Sequence, residues 1–230
     1  MIIIWIILYG IIYSLSEKLS RLFGDNQIIT VLAIMLYIVV LYLFLEKRKK
    51  SSIYGLCTPK YWSRKDIGWL TPLLAFLFAN LYFQGTGQTI LWNSWIMLIL
   101  MLFAVFLEEL LFRGYLPTYL LEKYGTKKWI GMVGSSVLFG MLHIVNLFQG
   151  ANFLYTIIQM LCAFGLGLCL CVLVSKYKSI FPGTIIHYLI NITSLNIEKS
   201  NDTALLCFFI LSILYILYAC LLDKKWSSIQ

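Results

Sequence analysis

Seven residues of this sequence combine type and spacing in a way that supports chemistry: Glu108, Glu109, Arg113, Phe139, His143, His187 and Asn191. The chain has two histidines in all, and both belong to this set. Glu109 and Arg113 stand four positions apart, so on a helix they share a face and can form an ion pair. Glu108 is turned by about 100° from Glu109 and has no basic residue three or four positions away. Its partner must come from another segment, and His143 and His187 are the candidates. His187 and Asn191 are again four apart, and His143 and Asn146 three apart. A carboxylate that deprotonates water, with donors for a developing oxyanion, is the equipment of amide hydrolysis. Neither His-bearing stretch contains a serine or cysteine, which argues against a covalent nucleophile. Glu108, His143 and His187 also make a zinc-ligand composition, but the HExxH pattern is absent. The expectation is therefore no cofactor and no metal, with zinc as the alternative. Taken singly, each group has an ordinary structural explanation, as an interhelical hydrogen-bond partner or a helix pin. Together they point to function.

The elements that must position these groups are apolar helices. Of 230 residues, 61% are hydrophobic and 12% charged, against about 25% charged in a soluble domain. Mean hydropathy is +0.87. This excludes a single soluble core, disorder and a disulfide-stapled scaffold. The formal charge of +8 reads as membrane topology, with no nucleic-acid partner. A spanning helix needs about 20 mostly apolar residues. Candidate runs cover 2–22, 28–45, 67–83, 94–121, 129–147, 153–175, 180–197 and 203–222. No basic segment precedes the first, so it is expected to be a span rather than a cleaved signal peptide. Of 18 Lys and Arg, 14 fall in the connections of one side, three on the other, and Arg113 inside a span. The positive-inside rule then puts both termini in the cytoplasm.

The expected fold is an all-α polytopic membrane protein of about eight transmembrane helices around a polar intramembrane cavity. Its parts are an N-terminal hairpin with a basic cytoplasmic linker (1–66), a third span and outer loop (67–93), a catalytic helical core (94–197), and a last span with its tail (198–230). The six cysteines show neither CxxC nor zinc spacing and are expected to pack as small apolar groups. A charge at the centre of a span costs about 2.5–3.5 kcal/mol on insertion scales. Glu108, Glu109 and Arg113 on one helix must therefore face a polar interior, pair, or serve function.

Glu108-Glu109-Leu110-Leu111-Phe112-Arg113 reads EExxxR, Phe139-Gly140-Met141-Leu142-His143 reads FxxxH, and His187-Tyr188-Leu189-Ile190-Asn191 reads HxxxN. Their order on consecutive apolar helices resembles the CAAX protease and bacteriocin-processing (CPBP, Abi) family, which includes the type II CAAX prenyl endopeptidases. The likeness covers about residues 94–195. It implies an intramembrane endopeptidase acting on a membrane-associated peptide or protein. Glu108 would be the general base with His143 its partner, and His187 and Asn191 would hold the oxyanion. Glu109, Arg113 and Phe139 would support the site. A glutamate-type mechanism is implied over a zinc metalloprotease, whose ligands would be Glu108, His143 and His187. The short loops look like the bacterial branch, hence a multi-pass protein of the bacterial plasma membrane linked to bacteriocin processing or immunity. The competing reading is a non-catalytic immunity or peptide-binding protein. A proton-linked carrier fits less well, since the chain lacks repeat symmetry.

Overall fold

The computed structural model describes residues 2–48, 54–61, 63–83, 95–125, 127–148, 150–194 and 202–227. These form eight helices and no strand: α1 (Ile2–Phe23), α2 (Ile28–Lys47), α3 (Arg64–Phe83), α4 (Trp95–Tyr124), α5 (Lys128–Leu142), α6 (Phe153–Tyr177), α7 (Phe181–Ser194) and α8 (Asp202–Ser227). α3 and α4 each contain non-α turns, and a short turn, Val145–Phe148, follows α5. All but α7 are long and apolar enough to cross a bilayer, α5 with its following turn counted in. α7 has 14 residues, about 21 Å of helix at the usual rise against roughly 30 Å of hydrocarbon. The expected outer loop 84–93 and the end of the seventh run, 195–197, lie outside the described residues. None of the six cysteines is paired.

The helices divide between two apolar cores. One gathers α1, α2 and α4, with Ile34, Leu41, Leu107, Leu110 and Phe112 at its centre. The other surrounds α6, where Leu168, Leu170 and Leu173 meet α3, α5, α7 and α8. The α1–α2 hairpin turns at Gly24, whose φ is +65°. Asp25 then caps α2, its carboxylate accepting the N–H groups of Gln27 and Ile29 at 3.0 Å each.

Three local irregularities shape the region around the charged residues. First, α4 widens into a π turn over Leu110–Tyr115, where the Leu116 N–H reaches back five residues to the Leu111 carbonyl. Pro117 has no N–H to continue that pattern, so the Phe112 carbonyl is left over, and the Ser135 hydroxyl of α5 donates to it. Second, Gly114 in this turn lets the linker pack closely. A Cβ there would lie 2.2 Å from the Tyr54 carbonyl oxygen. Third, α5 stops at Leu142, and the His143 N–H closes a turn onto Gly140 O at 3.1 Å. The linker is tied down further by Lys60 N–H to Tyr177 O, 2.8 Å, and Ile180 N–H to Gly55 O, 3.0 Å.

Candidate active site

Glu108 and Glu109 end the regular part of α4, immediately before the π turn. The rotation between them sends the two carboxylates to different surroundings. Glu109 is fully buried, with a side chain 0% exposed, whereas that of Glu108 is 21% exposed. Glu109 Oε1 accepts a hydrogen bond from His187 Nδ1 at 2.8 Å. The same oxygen lies 3.3 Å from Arg113 Nη1. The ion pair on one helix face is therefore present.

Arg113 is nonetheless unusual. It is 2% exposed, and its Nε, Nη1 and Nη2 make no aligned hydrogen bond among the described residues. Its charge is met by Glu109 and by the Phe139 ring, 3.8 Å from the guanidinium carbon to the ring centre. A cation over an aromatic face gains from the ring quadrupole, the more so when water is excluded. Phe139 also meets the edges of both imidazoles, with ring centres 5.6 Å from His143 and 5.7 Å from His187. This phenylalanine fixes the arginine and the two histidines relative to one another.

With Nδ1–H donated to Glu109, His187 turns its Nε2 towards Glu108. The distance from Nε2 to Glu108 Oε2 is 3.9 Å, too long for a direct hydrogen bond and suited to a shared water. The other oxygen, Oε1, accepts from the Tyr9 hydroxyl of α1 at 3.1 Å. Gly183, in the first turn of α7, allows that helix to approach: a Cβ there would lie 3.2 Å from Glu109 Oε2.

His143, His187, Asn191 and Phe139 line one end of a cavity of about 120 Å³, whose other walls include Phe76, Leu205 and Phe208. Among the described residues Asn191 Nδ2 has only a weak contact, 3.7 Å to Met101 Sδ, so its amide remains able to donate. All seven residues singled out in the sequence thus fall in one neighbourhood. The pairing differs from expectation in one respect. The closest carboxylate–imidazole contact joins Glu109 to His187, and Glu108 faces His187 across a gap. Asn146 does not join the site; its amide donates to Gln159 Oε1 at 2.8 Å, because the break after Leu142 turns it towards α6.

Tyr9 was not singled out from sequence. Nothing in an apolar helix 99 positions away marks it, and a tyrosine in such a run is unexceptional at a membrane interface. Its burial below α4 and its donation to Glu108 are visible only once the helices are packed.

Among the described residues no three His, Cys, Asp or Glu groups stand close enough to hold a metal ion, while the bond from His187 Nδ1 to Glu109 leaves its Nε2 open.

Residues 89–193 match the family model of the Rce1-like type II CAAX prenyl endopeptidases. All seven site residues lie inside that segment, and Tyr9 lies outside it. The match supports the CAAX protease and bacteriocin-processing family, and with it an intramembrane protease of CAAX type. No curated protein matches the chain.

Proposed function

We propose that this chain, an integral multi-pass membrane protein whose residues 89–193 match the Rce1-like CAAX proteases, hydrolyses a peptide bond of a membrane-associated peptide by water activated at Glu108. The observation that carries the reading is the asymmetry of the two carboxylates around His187. Glu109 takes Nδ1–H at 2.8 Å, which leaves Nε2 as a lone-pair acceptor 3.9 Å from the partly open Glu108 carboxylate. A water held between the two can lose a proton to Glu108 as its oxygen attacks the substrate carbonyl carbon. Glu108 then returns that proton to the leaving amine nitrogen as the C–N bond breaks. His143 and Asn191, on the cavity wall, would be the donors to the oxyanion. This divides the roles differently from the family likeness: His187 serves Glu108, and His143 joins Asn191.

We further propose a bacterial plasma membrane, on the likeness of the short loops to the bacterial branch of the family, with both termini cytoplasmic on the count of basic residues per side. Reporter fusions at the two ends check this. A C-terminus on the outer face would mean that the short α7 does not cross.

The decisive experiment is cleavage of a peptide library by the full chain in lipid nanodiscs, beside Glu108→Gln. Cleavage by the parent that is lost in the variant is the expected result. Equal cleavage by both sinks the mechanism. A parent that binds peptides without cutting any favours the non-catalytic immunity reading.

A further inference from the structure

On the far side of the π turn from His187 lies a second cavity, of about 210 Å³. Arg113, Lys128 and Lys178 line it, together with the hydroxyl-bearing Thr118 and Ser175, and Gly55 of the linker contributes to its wall. No acidic residue is among its lining residues. Lys128 opens α5, Lys178 directly follows α6, and Thr118 lies in the last part of α4. Three helix ends on the basic side of the protein thus converge here.

The positive charge is incompletely met. Arg113 has Glu109 as its ion-pair partner but its guanidinium nitrogens make no hydrogen bond among the described residues. Lys128 reaches Asp223 at 3.1 Å, outside the cavity. Lys178 has no acidic partner among the described residues. Burial, and then the charge of Lys128, hold the Lys178 amine below its ordinary value. A cluster of positive charge in a cavity whose lining holds no acid marks a place where an anion is stabilised.

From this geometry we infer that the cavity between the basic-side ends of α4, α5 and α6 binds a phosphate group, with Lys128 and Lys178 as its principal ligands. The site is independent of the proteolytic reading, because neither lysine takes part in the chemistry above. Two sources carry the same group: the headgroup of an anionic phospholipid, or a free phosphate. Basic pockets between membrane helices suit the former, and the test separates them.

The full chain in neutral detergent is titrated with dioleoyl phosphatidic acid in one arm and inorganic phosphate in the other, with thermal unfolding as readout. In the parent, phosphatidic acid is expected to raise the midpoint in a saturable manner. In Lys128→Gln/Lys178→Gln its apparent affinity should fall by roughly thirtyfold, on the scale of about 1 kcal/mol per basic residue near a lipid surface. The Lys→Arg pair should retain binding, and Ser175→Asp, which brings an acid into the cavity, should lose it even if the glutamine pair folds poorly. A matching response to inorganic phosphate identifies a free ion as ligand; a response to phosphatidic acid alone identifies lipid. Equal affinity in parent and Ser175→Asp, or no saturable response to either phosphate, overturns the proposal.

Discussion

Two glutamates adjacent in sequence occupy opposite kinds of environment, and the contrast organises the site. Glu109 is dry and held through Oε1, with His187 at 2.8 Å and Arg113 at 3.3 Å. Glu108 keeps one oxygen on the Tyr9 hydroxyl, leaves the other 3.9 Å short of His187, and stays partly exposed. A group that moves protons needs access to substrate and water. A group that orients another needs neither. One helical step separates the two because 100° of rotation is enough to carry a carboxylate from the seam with α7 to the side facing α1.

The largest effect should come from the open carboxylate. Glu108→Gln keeps shape and one acceptor oxygen but cannot take the proton. We expect turnover to fall by about 10²–10⁴-fold, with an unfolding midpoint close to the parent's. Single-turnover cleavage together with thermal unfolding checks both halves. A comparable loss of stability would erase the distinction between the glutamates.

Glu109→Gln should do the reverse, with its primary effect on stability. Removing one member of a buried pair strands Arg113 as an uncompensated charge, at a cost of about 3–5 kcal/mol. Adding Arg113→Met should recover much of that loss in folding while leaving His187 without its anchor. Denaturation of the single and double variants measures the coupling. Purely additive effects would mean that the 3.3 Å contact contributes nothing.

The same contrast shows how far the sequence reaches. The i, i+4 relation of Glu109 and Arg113 is local, so spacing alone predicts it. The convergence of three apolar segments follows from the cost of burying their charges. Spacing cannot say which glutamate meets which histidine, because that depends on how α7 rotates against α4, and Gly183 permits the approach that selects Glu109. The π turn and the break at His143 are likewise hidden. Pro117 hints at the first, but the compensating donor, Ser135, belongs to another helix. α7 was expected to run with the other spans, yet its described part is only 14 residues.

Gly183→Ala probes that approach directly. The added Cβ would lie 3.2 Å from Glu109 Oε2, tighter than an ordinary contact. Glu109 is held through its other oxygen by His187 and Arg113, so turning the carboxylate away would strain both contacts, and a shift of α7 that carries His187 with it is the expected relief. A destabilisation of about 1–3 kcal/mol with cleavage slowed by up to about 10²-fold is expected. Unchanged activity would show that the position of His187 relative to Glu108 tolerates such a shift.

The smallest effect belongs to Tyr9, and it bears on whether the matched segment acts alone. Tyr9 lies on α1, outside residues 89–193, yet its hydroxyl donates to the proposed base at 3.1 Å. The ring is packed beside Tyr13 and Tyr37, so Tyr9→Phe preserves the apolar contacts and deletes only the donor. A hydrogen bond to a charged group contributes about 1.5–3 kcal/mol, part of which is spent on orienting Glu108 and part on the resting state. Turnover should drop by about tenfold, with KM and unfolding midpoint near parental values. A raised KM instead would place Tyr9 in substrate binding, and no change at all would confine the catalytic unit to α4–α7. In the expected case the α1–α2 hairpin is part of the active site: it supplies the one hydrogen bond that Glu108 makes among the described residues.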